Sequence, residues 1–161
     1  MKKVLFVIPM LAFTVFGCAG GKKPNDGKSI ETAYTVEEMI EVMKDYEGGK
    51  PSEEEFYVTG VFAAGTTFNS KYTSWSGYTV GHEKESEKPF QIYSVGMADS
   101  VTGNYKDKGC LDGATFVIKG HAMLYVKEGQ APVYEIAYCT LADGTKHTPQ
   151  IVKVEGGKPI N

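Results

Sequence analysis

Three kinds of side chain in this sequence carry chemistry by type, and their spacing decides which chemistry is open to them. Cysteines stand at 18, 110 and 139, with no two at the short spacing of a redox pair. Cys110 lies just before one apolar run and Cys139 lies within the next. In an oxidising compartment the two are compatible with a disulfide, but two buried free thiols are the first expectation. His82, His121 and His147 lack the spacing of a metal-ligand set, so no metal site is predicted, and His121 is expected to be an exposed strand residue. Ser52-Glu53-Glu54-Glu55 offers three neighbouring carboxylates. Consecutive residues of an extended chain face opposite sides, so a solvated approach to a strand is the expected role. No serine sits in a nucleophile elbow, and no glycine loop precedes a helix to cradle phosphate. No catalytic residue is assigned and no cofactor is expected.

What remains is a binding surface. Tyr72, Trp75, Tyr78 and Tyr93 are flat aromatics with Asn69, Ser74 and Ser76 among them. Rings beside short polar groups suit a sugar face or a peptide. The competing expectation is that these rings only pack a long loop against the body of the protein. Charge narrows the ligand class. All 17 basic residues are lysine, against 20 acidic residues. Without Lys2 and Lys3 the balance is 15 basic against 20 acidic, a formal charge of −5. That disfavours nucleic acid, which calls for a basic stripe, and the missing arginine removes the bidentate fork for phosphate.

The elements that would position these residues can be read in order. Lys2 and Lys3 precede an apolar run over residues 4–16, too short to span a bilayer, ending in Val15-Phe16-Gly17-Cys18. Residues 19–28 are polar and glycine-rich, a flexible tether. Thr35-Val36-Glu37-Glu38 is a capping box, and Val36, Met39, Ile40 and Met43 repeat at helical spacing until Gly48-Gly49 and Pro51 stop the helix. Residues 56–69 read as one long first strand bent at Gly60 and Gly65. Further strands are expected over 78–82, 90–95, 114–126 and 132–139, with a short addition over 151–154. Five main strands, a glycine-bent opener and a long gap between the third and fourth predict a mainly β, five-stranded closed barrel with an N-terminal helix.

Two resemblances sharpen this. Val15, Gly17 and Cys18 resemble a bacterial lipoprotein signal. That resemblance implies cleavage before Cys18, lipidation of its thiol and stable membrane anchoring. Ala19 is not the aspartate that retains enterobacterial lipoproteins at the inner membrane, and no acidic cluster follows Cys18. The expectation is therefore outer-membrane attachment facing the periplasm. Residues 33–38, 57–62 and 111–120 together resemble small OB-fold lipoproteins of Gram-negative anaerobes, covering most of 30–141. These are motifs of fold, so the resemblance implies an OB-fold barrel and carries over no catalytic residue. Nuclease chemistry of the kind some five-stranded barrels perform with arginines is excluded by their absence.

The expected organisation is a signal peptide over 1–17, a tether over 18–29, an OB-fold-like domain over 30–145 and a C-terminal extension over 146–161. The expected function is a non-enzymatic, lipid-anchored envelope protein binding a protein or glycan partner. An oligonucleotide-binding domain and a structural envelope component without a small ligand are the alternatives.

Overall fold

A computed structural model describes residues 24–101, 105 and 110–157. The signal sequence, Cys18 and the start of the tether lie outside the described residues. From Pro24 onward the expected tether is held in place. The Gly27 amide donates to the Thr32 carbonyl (2.8 Å), the Tyr57 amide donates to the Gly27 carbonyl (2.8 Å), and Lys28 pairs with Glu54.

The described residues are mainly β. β1 (Tyr34–Thr35) leads directly into the helix α1 (Val36–Met43). The capping box forms as the sequence predicts. Glu38 N–H donates to the Thr35 hydroxyl (3.2 Å), and Thr35 N–H donates to the Glu38 carboxylate (2.8 Å). The strands β2 (Pro51–Val61), β3 (Thr67–Asn69), β4 (Ser74–Tyr78), β5 (Phe90–Met97), β6 (Ala114–Tyr125), β7 (Val133–Ala137), β8 (Cys139–Thr140), β9 (Lys146–His147) and β10 (Gln150–Gly156) follow. Among the described residues no helix is long and apolar enough to cross a membrane.

β2 pairs antiparallel with β6, β6 with β7, β7 parallel with β5, and β5 antiparallel with β4. Just beyond β2, Phe62 meets Thr79, just beyond β4, through an isolated antiparallel bridge. β7 covers only the last four residues of β6, from Ala122 to Tyr125. The first half of β6 pairs instead with β10, which also runs parallel to the end of β5. Two short strands thus fill, end to end, the gap between β5 and β6. The 151–154 segment, expected as an addition, is a strand inside the sheet.

The first strand differs from the expected continuous run over 56–69. β2 starts earlier, at Pro51, and takes in the acidic run; the ladder then breaks before β3. Asp112 explains the break. Its carboxylate accepts from the Gly65 amide (3.1 Å), the Thr66 amide (2.8 Å) and the Thr66 hydroxyl (2.5 Å), closing a turn in which Gly65 has φ +94°. Burial works to raise the Asp112 carboxyl, but these donors outweigh it and hold it at about 2. Gly60 is a point of close approach, not a bend. A Cβ there would lie 2.9 Å from Val36 Cγ2 and 3.0 Å from the Phe116 ring, so the glycine admits the helix against the sheet. Val36, Met39, Ile40 and Met43 bury there and join Val58, Phe62, Phe90, Ile92, Phe116, Ile118 and Ile136 in one core.

The second strand lies earlier than predicted, over 74–78 instead of 78–82. Pairing of Phe68 with Trp75 and of Trp75 with Val95 draws the expected loop into the sheet.

Candidate functional site

The strand register sets out the candidate site. Tyr78 on β4 stands opposite Gln91 on β5, Gln91 beside Glu135 on β7, and Glu135 opposite Met123 on β6. These four residues form a row across four strands on the face away from the core. Tyr93, two residues beyond Gln91, and Tyr125, two beyond Met123, project from the same face, and Tyr138 follows β7 with its amide donating to the Tyr93 carbonyl (3.1 Å). Together Gln91, Tyr93, Met123, Tyr125, Glu135 and Tyr138 line a recess of about 370 Å³. Tyr93 is 49% exposed, and Tyr125 and Tyr138 are also open to solvent.

A bulge aims Tyr93 outward. From Trp75 to Gly77 β4 advances two residues while β5 moves three, from Val95 back to Ile92. Ser94 absorbs the extra residue at φ +53°, and its amide donates to the Ser76 hydroxyl (2.9 Å). Ile92 and Val95 therefore both face the core while Tyr93 stays outside.

Glu135 forms the base of the recess. It is only 5% exposed, and burial pushes its carboxyl up to about 7. Near neutral pH it thus presents both a protonated form that donates and an ionised form that accepts. Burial, with the Glu135 and Glu85 carboxylates, raises the Tyr78 phenol.

The four aromatics predicted as a site separate. Tyr78 and Tyr93 come together on the recess face. Trp75 is fully buried and packs against Phe68 with ring centroids 4.5 Å apart, so its role is packing. Tyr72 is 64% exposed, but it lies beyond the Ser74 end of β4, away from Tyr78, with the Lys71 ammonium 5.0 Å from its ring centroid. Sequence reasoning missed Tyr125, Tyr138, Gln91 and Glu135. A signal was present in the single carboxylate of the apolar run Val133-Tyr134-Glu135-Ile136-Ala137.

Of the two expectations for Cys110 and Cys139, the structure has the free thiols and not the disulfide. Cys139 is a buried thiol and Cys110 a half-buried one. The short β7 explains why. Pairing of Ala122 with Ile136 brings Cys139 only to the middle of β6, whereas Cys110 precedes the far end at Ala114.

A second cluster corrects the expectation for the histidines. His121 is buried, not exposed, and its Nδ1 lies 2.8 Å from the Ser52 carbonyl oxygen. Its cross-strand partner is Glu55, from the acidic run. His147 on β9 brings its Nε2 to 2.9 Å from Glu55 Oε1 and sets its ring edge-on to His121, with centroids 4.6 Å apart. Lys119 Nζ lies 2.6 Å from Glu55 Oε2. Burial works to raise the Glu55 carboxyl, and Lys119 and the two histidines outweigh it, so it lies below its ordinary value. Ligand atoms of Glu55, His121 and His147 all fall within 4.8 Å of one another. His82, by contrast, lies apart, with Glu37 3.4 Å from its Nε2.

No protein-family model matches the chain, and no curated protein matches it in sequence.

Proposed function

We propose that this chain is a non-enzymatic, lipid-anchored envelope protein whose OB-fold barrel binds a glycan or protein partner through the tyrosine recess. The observation that carries the reading is the row Tyr78–Gln91–Glu135–Met123 flanked by the exposed rings of Tyr93, Tyr125 and Tyr138. A carboxyl and a carboxamide between flat rings offer hydrogen bonds and stacking faces together, which favours a glycan. The barrel reading is supported by the circuit of pairings from β2 through β6, β7, β5 and β4 back to Phe62, with its parallel β5–β7 step. In OB-folds the second and third strands commonly carry the ligand, and here these would be β4 and β5, the strands of Tyr78 and Tyr93. The lipoprotein signal at Val15, Gly17 and Cys18 supports anchoring at the outer membrane, facing the periplasm.

Glycan-array screening, followed by titration of any hit against Tyr93→Ala and Tyr125→Ala, tests the recess. Loss of binding in both variants is expected, and undiminished binding would overturn the assignment. Retention of DNA at low salt with steep release as salt rises would favour the oligonucleotide alternative. Cys18→Ala is expected to move the protein from the membrane to the soluble fraction; unchanged fractionation would sink the anchor.

A further inference from the structure

We propose that Glu55, His121 and His147 form a binding site for a divalent transition-metal ion of the zinc class. The inference goes beyond the tyrosine recess and stands independently of it.

The donor set comes first. Two imidazole nitrogens and one carboxylate oxygen are a recurrent three-residue set for zinc, and they leave a further position open. Imidazole donors disfavour magnesium and calcium, which take oxygen ligands. Glu55 Oε1 and His147 Nε2 lie 2.9 Å apart. Bonds of ~2.0–2.1 Å place neighbouring ligands of a tetrahedral shell about 3.3 Å apart, so this pair already spans one edge. The third donor is within 4.8 Å, and shell closure needs side-chain movement of about 1–1.5 Å by the same measure.

Orientation comes second. His121 Nδ1–H donating to the Ser52 carbonyl leaves the Nε2 lone pair to face a ligand. A backbone carbonyl on the outer nitrogen is the arrangement that fixes the tautomer and ring angle of metal-bound histidines. The edge-on rings, 87° apart, direct His121 and His147 from two directions. His147 Nδ1 is buried and has no hydrogen-bond partner among the described residues, so a ring proton moved there from Nε2 when an ion takes the Glu55–His147 edge lacks an acceptor, a cost the metal–ligand bonds must outweigh.

The fold builds this arrangement with two local devices. Between Pro51 and Glu55 the β2 chain advances four residues while β6 moves only two, from Met123 to His121. That bulge releases the Ser52 carbonyl from the ladder and offers it to His121, while the Ser52 hydroxyl accepts from the Ala122 amide (2.9 Å). On the other side, a Cβ at Gly120 would lie 2.5 Å from Pro149 Cβ. The glycine therefore lets the His147–Pro149 segment close over β6. Lys119 opposes an ion, because its ammonium competes for Glu55. That competition gives the proposal a signed test.

The test uses the untagged full chain after chelator treatment. Equilibrium dialysis with zinc chloride and metal analysis is expected to find one ion per chain. Cobalt(II) is expected to give a visible absorption band. Affinity should fall by more than about tenfold in Glu55→Gln and in His147→Ala, and rise in Lys119→Gln, where the competing charge is gone. His82→Ala should bind as the parent does. His121 is buried, so the half-exposed Glu55 and His147 give the cleaner variants, and far-UV circular dichroism confirms that each is folded. Three results would overturn the site: no zinc or cobalt on the folded parent, undiminished binding in a folded Glu55→Gln/His147→Ala double variant, or weakened binding in a folded Lys119→Gln.

Discussion

Residues 68–78 carry four aromatics, Phe68, Tyr72, Trp75 and Tyr78, and the strand segments around β5, β6 and β7 carry four tyrosines, Tyr93, Tyr125, Tyr134 and Tyr138. The fold puts the Phe68–Trp75 pair of the first and the Tyr93–Tyr125 pair of the second to opposite uses. In the first, cross-strand pairing turns Phe68 and Trp75 onto each other and closes Trp75 from solvent. In the second, alternation along β6 and the Ser94 bulge on β5 leave Tyr93 and Tyr125 outward beside a buried carboxyl. Composition does not separate packing from recognition; register does. A ring is available to a ligand when its strand phase faces it outward and a polar neighbour shares its row.

The sharpest way to break this comparison is at Trp75. If the indole is core, Trp75→Ala removes a fully buried side chain and should destabilise the fold by about 3–5 kcal/mol. Its Nε1 has no hydrogen-bond partner among the described residues, so Trp75→Phe leaves no donor or acceptor newly unpaired. That variant should lose much less, through volume alone. Urea unfolding measures both. A Trp75→Ala protein of parental stability would return the indole to the list of binding groups.

Next in size is Glu135. Its carboxyl titrates at about 7 in the fold, against 4.5 as an ordinary glutamate, with burial as the cause. The folded state holds the extra proton between these values. Its stability contribution is therefore full below about pH 4.5 and is lost as pH rises through 7. At ~1.4 kcal/mol per pH unit the loss is at most about 3.5 kcal/mol. Glu135→Gln stays neutral, so it should gain about 2–3 kcal/mol over the parent at pH 8 and almost nothing at pH 4.5, by urea unfolding at each pH. Equal effects at both pH values would show that the base of the recess is solvated, and would weaken its contrast with the Trp75 side.

Much of the fold was legible. The capping box and apolar spacing located α1, and the β runs at 90–95 and 114–126 fell where β5 and β6 lie. Local patterns suffice where one face is buried and the period is unbroken. The first strand failed because its break depends on Asp112, 46 residues from Thr66, which no local window contains. The site was legible only in part, for the same reason. Tyr78 and Tyr93 were identified as flat aromatics on the second and third strands, but their row partner Glu135 becomes visible only once β7 is known to run parallel to β5. Likewise Glu55, His121 and His147 are distant in sequence; an antiparallel pairing with a bulge brings Glu55 to His121, and the close approach of Pro149 to Gly120 brings His147 to them.

The smallest stability effect belongs to the exposed rings, and it completes the contrast. Tyr93 and Tyr125 leave much of their surface in water already, so truncation gives up little burial. Tyr93→Ala should change stability by no more than about 0.5 kcal/mol, as surface substitutions away from caps and cores do. The bulge that faces Tyr93 outward is held by the Ser94 amide on the Ser76 hydroxyl, not by the ring, so the backbone should persist without it. Heat denaturation read by near-ultraviolet circular dichroism would report both stability and the Trp75 environment. An unchanged tryptophan signal with an unchanged melting temperature would mean that the recess is built on the sheet and adds nothing to its stability. A Tyr93→Ala protein that melts early and loses the Trp75 signal would mean that the two aromatic regions are one packed unit joined through the Trp75–Val95 pair. The functional contrast between them would then fail.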